Sequence, residues 1–129
     1  MIVADTDVLI DFLGGIEPGF SRVRGAIETS QLETTVITRY ELLAGATNPR
    51  QEARLSDLLR ALRVLPLDAA AADSAARIRL TLGRRGETIG MADCLIAGIV
   101  MVHGALLLTR NRRHFERIRE LRLADLAGT

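Results

Sequence analysis

Hydrophobic and polar positions along the chain follow two alternating periods. Met1 to Ala4 is a short continuous apolar run, the pattern of a strand buried on both faces, and it gives way to Asp5 and Asp7. Val8, Leu9, Phe12 and Leu13 then open a helix that Gly14 and Gly15 stop, and Pro18 suits the first turn of a second helix running through Val23 and Ile27 to about Ser30. Glu33 to Ile37 predicts a short strand. Thr38 to Glu41 has the spacing of a capping box, with Leu42, Leu43 and Ala44 continuing a helix that Gly45 ends. Asn48-Pro49 restarts a helix whose Leu55, Leu58, Leu59 and Leu62 share one face, and Val64 to Leu67 is a third strand broken by Pro66.

Asp68 has the place of an N-cap before an Ala-rich helix in which Ala71, Ala75, Ile78 and Leu82 align, until Gly83 and Gly86 end it. Met91 to Val102 is a mostly apolar helix with Asp93 as its lone acid, so it is expected between the sheet and other helices. Ala105 to Thr109 is a fourth strand, Asn111 caps a short helix through Phe115 and Ile118, and Leu121 to Leu123 offers a last edge strand. Strands alternating with helices predict an α/β three-layer sandwich, a mainly parallel sheet of four to five strands between helices, as one domain over residues 1–129.

Composition sharpens this in three ways. The formal charge of +1 conceals a segregation, since Asp5, Asp7 and Asp11 open the chain while six arginines from Arg110 to Arg122 crowd its end. The two ends are expected to meet. All 17 basic residues are arginine, which removes any mechanism needing a lysine amine. Cys94 is the single cysteine, so no internal disulfide forms and a reducing cytoplasm is the expected compartment. The apolar N-terminus lacks a basic leader pattern, and the stretch from Leu95 to Leu108 falls short of the ~20 residues a bilayer span needs. No membrane association is expected.

The candidate chemistry lies where strands end. Asp5 follows the first strand, Glu41 opens the helix after the second, Asp93 lies early in a buried helix, and Asn111 follows the fourth strand. Each has a structural explanation of its own, as cap or as helix-dipole partner. In a parallel sheet, however, these strand ends point to one edge, so the carboxylates converge, repel and raise one another's pKa unless a cation compensates. An all-oxygen set without a thiolate pair or zinc-spaced histidines prefers Mg²⁺ or Mn²⁺. His103 is read as a helix C-cap, and His114, among arginines, as a surface residue or phosphate contact.

Four motifs in order give a resemblance. Asp5-Thr6-Asp7-Val8-Leu9-Ile10-Asp11, Glu41-Leu42-Leu43-Ala44-Gly45, Gly90-Met91-Ala92-Asp93-Cys94-Leu95-Ile96-Ala97 and Leu107-Leu108-Thr109-Arg110-Asn111, with His114-Phe115 beyond, resemble the PIN-domain family. Within it the chain is similar to the VapC ribonuclease toxins of prokaryotic toxin–antitoxin pairs. The resemblance implies Asp5, Glu41 and Asp93 as metal ligands, with the fourth family position on Asn111, where many relatives carry Asp. Asn keeps a carbonyl oxygen but removes a charge, which weakens any second metal. Asp7 stands where the family often has Ser or Asn; it is expected to point away as a cap, although it could supply the missing charge. Thr6 and Thr109 are expected to orient carboxylates.

The expected activity is metal-dependent hydrolysis of RNA by activated water, leaving 5′-phosphate and 3′-hydroxyl ends, with Arg110, Arg112 and Arg113 on the phosphate backbone. RNA as substrate, an antitoxin protein as partner, contact with DNA only through that antitoxin, and a homodimer are implied by the resemblance. Two rivals share the acidic strand end. A phosphotransfer enzyme of the haloacid-dehalogenase or receiver type ordinarily uses a lysine, and there is none. A non-catalytic binding module, in which the pocket receives a basic segment of a partner, is kept open by Asn111.

Overall fold

In a computed structural model of the protein, which describes residues 1–127, a four-stranded sheet carries seven helices. The last two residues of the expected 1–129 domain lie outside the described residues. The strands are β1 (Ile2–Ala4), β2 (Leu32–Thr35), β3 (Arg63–Leu65) and β4 (Leu106–Leu108). The helices are α1 (Thr6–Gly14), α2 (Gly19–Glu28), α3 (Val36–Ala44), α4 (Pro49–Ala61), α5 (Ala69–Arg84), α6 (Met91–Val102) and α7 (Arg112–Phe115). Every strand pairing is parallel, in the order β3-β2-β1-β4.

That order places β1 at the point where the chain reverses its direction of winding: β2 and β3 build outward on one side, β4 on the other. In open parallel sheets the crevice beyond the strand ends at such a point is the natural ligand position. Register aligns the two halves, with Ala4 opposite Leu108, so that the next residues, Asp5 and Thr109, emerge side by side. The Asp5 N–H extends the ladder by donating to Leu108 O at 2.9 Å.

Alternation along the strands divides the core into two layers. Val3, Leu65 and Leu107 face α5 and α6, packing with Ala71, Ala75, Ile78, Leu82, Ile96 and Ile99. Ile2, Ala4, Leu32 and Leu108 face the other layer, where α1, α2 and α4 supply Leu9, Val23, Leu55, Leu58 and Leu59. The predicted helix faces of α4 and α5 are the buried ones. Where α6 crosses α5, Gly98 allows backbone contact: a Cβ there would lie 2.6 Å from Ala71 O and 2.8 Å from Ala75 N.

Several predicted boundaries move. The second strand ends at Thr35, and Val36 and Ile37, β-branched residues read as strand, begin α3. Thr35 is the N-cap, with its hydroxyl accepting from Thr38 N–H at 3.1 Å, so the supposed capping box at Thr38 is already inside the helix. Extended backbone at Thr35 (φ −117°, ψ 161°) and its tie to the helix outweigh the strand propensity of the next two residues. The third strand is Arg63–Leu65, and the last edge strand shrinks to one parallel bridge between Leu123 and Leu107. Among the described residues no helix is long and apolar enough to cross a membrane.

Candidate active site

Asp5 is both a helix cap and a buried site residue. Its Oδ1 accepts from Thr6 N–H at 2.8 Å, while Oδ2 accepts from the Thr109 hydroxyl at 2.7 Å. It is only 6% exposed. Burial, with the adjacent Asp7 carboxylate as the next cause, pushes its pKa up to about 7, against the hydrogen bonds from Thr109 and Thr6 that favour the charged form.

Asp7 does not point away. Its Oδ2 accepts from Arg110 N–H at 3.1 Å and from the Thr109 hydroxyl at 3.3 Å, and its Oδ1 is buried without a hydrogen-bond partner. The first turn of α1 curls this side chain back over the end of β4, a direction set by where Asp5 caps the helix. The expected meeting of the acidic start and the basic end is thus a set of direct contacts.

Glu41 lies in the second turn of α3, on the side that meets α1. The Thr6 hydroxyl donates to Glu41 Oε1 at 2.6 Å and stands 3.1 Å from the Thr38 hydroxyl. Asp93, in the first turn of α6, has a side chain 26% exposed. Its pKa is raised by burial, opposed by His114 and reinforced by Glu41 and Asp7. Asp5, Asp7, Glu41 and Asp93 therefore share one electrostatic neighbourhood beyond the β1–β4 edge. Among the described residues no three His, Cys, Asp or Glu side chains are arranged to hold a metal ion as they stand.

Residues 2–121 match the PIN domain. The chain belongs to the PIN domain family. It is 32% identical over 125 residues to the tRNA(fMet)-specific endonuclease VapC of Shigella flexneri, a match covering 94% of each chain. To the tRNA(fMet)-specific endonuclease VapC of Salmonella typhimurium it is 34% identical over 113 residues, 84% of this chain and 86% of the relative. Among solved structures it is similar to a chain of DNA-bound VapBC from Salmonella typhimurium, with a TM-score of 0.87, 32% identity and 97% of both chains covered.

On this PIN domain the fourth motif departs most from what sequence reasoning expects. Asn111 precedes α7 in the N-cap place but makes no capping bond with its side chain. Its Nδ2 lies 2.9 Å from His114 Nδ1 instead, and its N–H donates to the Thr109 hydroxyl at 3.0 Å. His114 is the residue sequence reasoning undervalued: its Nδ1 also stands 3.7 Å from Asp93 Oδ2, an ion-pair distance too long for a hydrogen bond. The one available signal was its i, i+3 spacing from Asn111. His103 does close α6, with Nδ1 2.9 Å from Ile99 O.

The arginines divide. Arg110 is committed, its Nε 2.6 Å from Asp11 Oδ2. Arg112 donates to Ala124 O at 2.9 Å and sits 3.6 Å from Glu116. Arg113 is exposed and, among the described residues, makes no hydrogen bond or ion pair. The expected trio of phosphate contacts is thus reduced, because two of the three side chains staple the fold.

Proposed function

We propose that this chain is an endoribonuclease, the toxin of a toxin–antitoxin pair, hydrolysing RNA phosphodiesters with Mg²⁺ or Mn²⁺. The observation that carries the reading is the buried Asp5 beside the half-buried Asp7 at the reversal point of the sheet, the Asp7 Oδ1 atom buried without a partner, with Glu41 and Asp93 in the same electrostatic neighbourhood. Family membership and the named activities of the VapC relatives support it.

The donor set fits a hard divalent cation. All its members are oxygen donors, and the unpartnered Asp7 Oδ1 and the costly charge on Asp5 are both relieved by a cation. Asp5, Asp93 and Glu41 would hold it, with Asp7 and the Asn111 oxygen beside them. When bound, such an ion supplies a Lewis acid that activates water and neutralises charge on the phosphate. Thr109 and Thr6 fix Asp5 and Glu41 by hydrogen bonds to one oxygen each, leaving lone pairs for the pocket. Arg113, exposed, would meet the phosphate backbone. No lysine and no protein nucleophile takes part, and the products carry 5′-phosphate and 3′-hydroxyl ends.

An antitoxin is the partner this reading requires, and DNA is reached only through it. A 330 Å³ groove between α1, α3 and α4 is lined by Ile10, Leu13, Leu42 and Leu55, and of the four acids Glu41 lies in its wall. A partner segment with apolar side chains and an arginine reaching the acids complements it in charge. We further propose a homodimer in the cytoplasm; exposed Ile10 and Tyr40 on the early helices supply apolar surface for it.

The absence of a ready-made trio of ligands among the described residues favours, as second reading, a binding module that works with a DNA-binding partner and does not cleave. Purified protein incubated with RNA and Mg²⁺ or Mn²⁺ separates the two. Cleavage that stops with EDTA and with Asp93→Asn is expected; cleavage indifferent to both, or none with either ion, overturns the nuclease.

A further inference from the structure

We infer that the C-terminal half of α5 carries an RNA-backbone track, a groove between Arg79 and Arg84 that receives the strand next to the segment being cleaved; the inference rests on the RNA-cleaving reading above. One face of α5 is buried through Ala71, Ala75, Ile78 and Leu82, and the opposite face is exposed and carries Arg77, Arg79 and Arg84. Asp73 is the only acid within the helix, and it lies one turn before Arg77, nearer the start. Positive charge is thus left uncompensated toward the end of the helix.

Most arginines of this chain are occupied: Arg54, Arg112, Arg117 and Arg122 close loops onto carbonyls, and Arg63 and Arg110 hold carboxylates. Arg79 and Arg84 are exposed, and among the described residues neither makes a hydrogen bond or an ion pair. A last-turn arginine such as Arg84 suits the helix dipole, but Arg79, more than a turn from the end, has no such explanation. Between them runs a 360 Å³ groove lined also by Leu80, Gly83 and Thr88. Leu80 is 59% exposed, and at Gly83 a Cβ would meet nothing within 4 Å. Two free guanidinia beside an open apolar floor match a nucleic-acid strand, whose phosphates take the charges while ribose and base lie over the leucine. A bare anion would leave that leucine in water.

The groove adjoins the candidate centre. α5 and α6 pack as an antiparallel hairpin, in which Gly98, late in α6, lies against Ala71, early in α5, and residues 85–90 join the other two ends. That brings the end of α5 beside the first turn of α6, where Asp93 stands. The positive charge of Arg79 is felt at Cys94, the next residue along the chain. Glu87, the acid of the connecting loop, is already turned to Arg85 at 3.6 Å. A strand that reaches the acids therefore meets Arg84 and Arg79 as it leaves.

The experiment follows binding of a labelled single-stranded RNA to the whole protein by fluorescence anisotropy in EDTA, over a range of salt. Each guanidinium on a phosphate contributes about 0.7 to the slope of log affinity against log salt for a single strand, so Arg79→Ala with Arg84→Ala should flatten it by about 1.4. Arg79→Lys with Arg84→Lys should keep the wild-type slope, because a phosphate also accepts a point charge. Arg24→Ala with Arg60→Ala removes the same charge from α2 and α4, where these side chains pair with Glu28 and Asp57, and should leave the slope as it is. An unchanged slope in the folded α5 alanine pair, or an equal flattening by the α2 and α4 pair, overturns the track and leaves the RNA reading standing. A wild type that binds no RNA overturns the RNA reading, and the track with it.

Discussion

Arg110 and Asp11 form the tie between the end of β4 and the middle of α1, with Arg110 Nε 2.6 Å from Asp11 Oδ2. Asp11 is 5% exposed and packed against Gly19, where a Cβ would come within 2.9 Å of Asp11 Cβ. The Arg110 side chain is half in water, so the pair is worth less than a fully buried one. Arg110→Ala leaves Asp11 buried without its cation and is expected to cost about 2 kcal/mol in denaturant unfolding. Asp11→Asn should recover part of that loss in the double variant. Strict additivity would show that the tie contributes nothing.

Arg113 provides the contrast. Exposed and unpaired among the described residues, it should be replaceable by Ala with less than about 0.5 kcal/mol change in stability. RNA affinity should nonetheless fall, and the slope of log affinity against log salt should flatten by about 0.7 for a single strand. An unchanged slope would remove Arg113 from the phosphate contacts.

Asp5 makes stability depend on pH in the direction opposite to a salt-bridged carboxylate. Its folded pKa of about 7 lies above the ordinary value of 3.8, so between these the folded state holds a proton that the unfolded state has released. Metal-free protein therefore loses stability as pH rises through that window, and the loss is complete above it. At about 1.4 kcal/mol per pH unit, the contribution of Asp5 is on the order of 4 kcal/mol. Asp5→Asn in EDTA should remove this slope and be more stable than wild type at neutral pH. Parallel pH profiles for the two proteins would contradict the account.

Binding a divalent cation should reverse that cost. Mn²⁺ at a hundredfold excess over its Kd stabilises by about 2.7 kcal/mol, which is on the order of 10 °C in Tm for a domain of this size. Calorimetric scans should show the rise in wild type and its loss in Asp5→Asn and Asp93→Asn. An equal rise in all three would place the ion elsewhere.

Gly98→Ala should be among the most damaging single changes. Its Cβ would lie 2.6 Å and 2.8 Å from backbone atoms of α5, which cannot yield as a side chain can. Overpacking of this kind costs about 1–3 kcal/mol. Chemical denaturation is the measurement, with the exposed Gly83, where a Cβ meets nothing within 4 Å, as the control.

What could be read from the sequence was what short range decides. The buried run before Asp5, the leucine face of α4 and the Asp68 cap with the alanine face of α5 were all legible, because 3.6- and 2-residue periods report directly on burial. Leu32-Glu33-Thr34-Thr35 shows the limit. This strand is buried throughout although three of its four residues are polar, tolerated because Glu33 pairs with Arg63 at 3.2 Å and Thr34 donates to Ala4 O at 2.9 Å. Those partners lie 30 residues away, beyond any local pattern. The same distance hid Asp7, turned inward by a backbone N–H at Arg110, and the ring of His114 against Asp93. It also hid the arginines that bind carbonyls: Arg112 to Ala124, Arg117 to Thr88 and Arg122 to Gly104. A guanidinium reads as surface charge until the loop it closes is known.

The place of β4 beside β1 bears on when the protein becomes dangerous to the cell that makes it. A ribosome that has released everything through α6 has already emitted Asp5, Asp7, Glu41 and Asp93, but not the Thr109 hydroxyl that grips Asp5 or the Arg110 amide that turns Asp7 inward. The central strand still lacks one neighbour at that moment. Translation must be all but finished before Asp5 and Asp7 gain the partners that hold them in place.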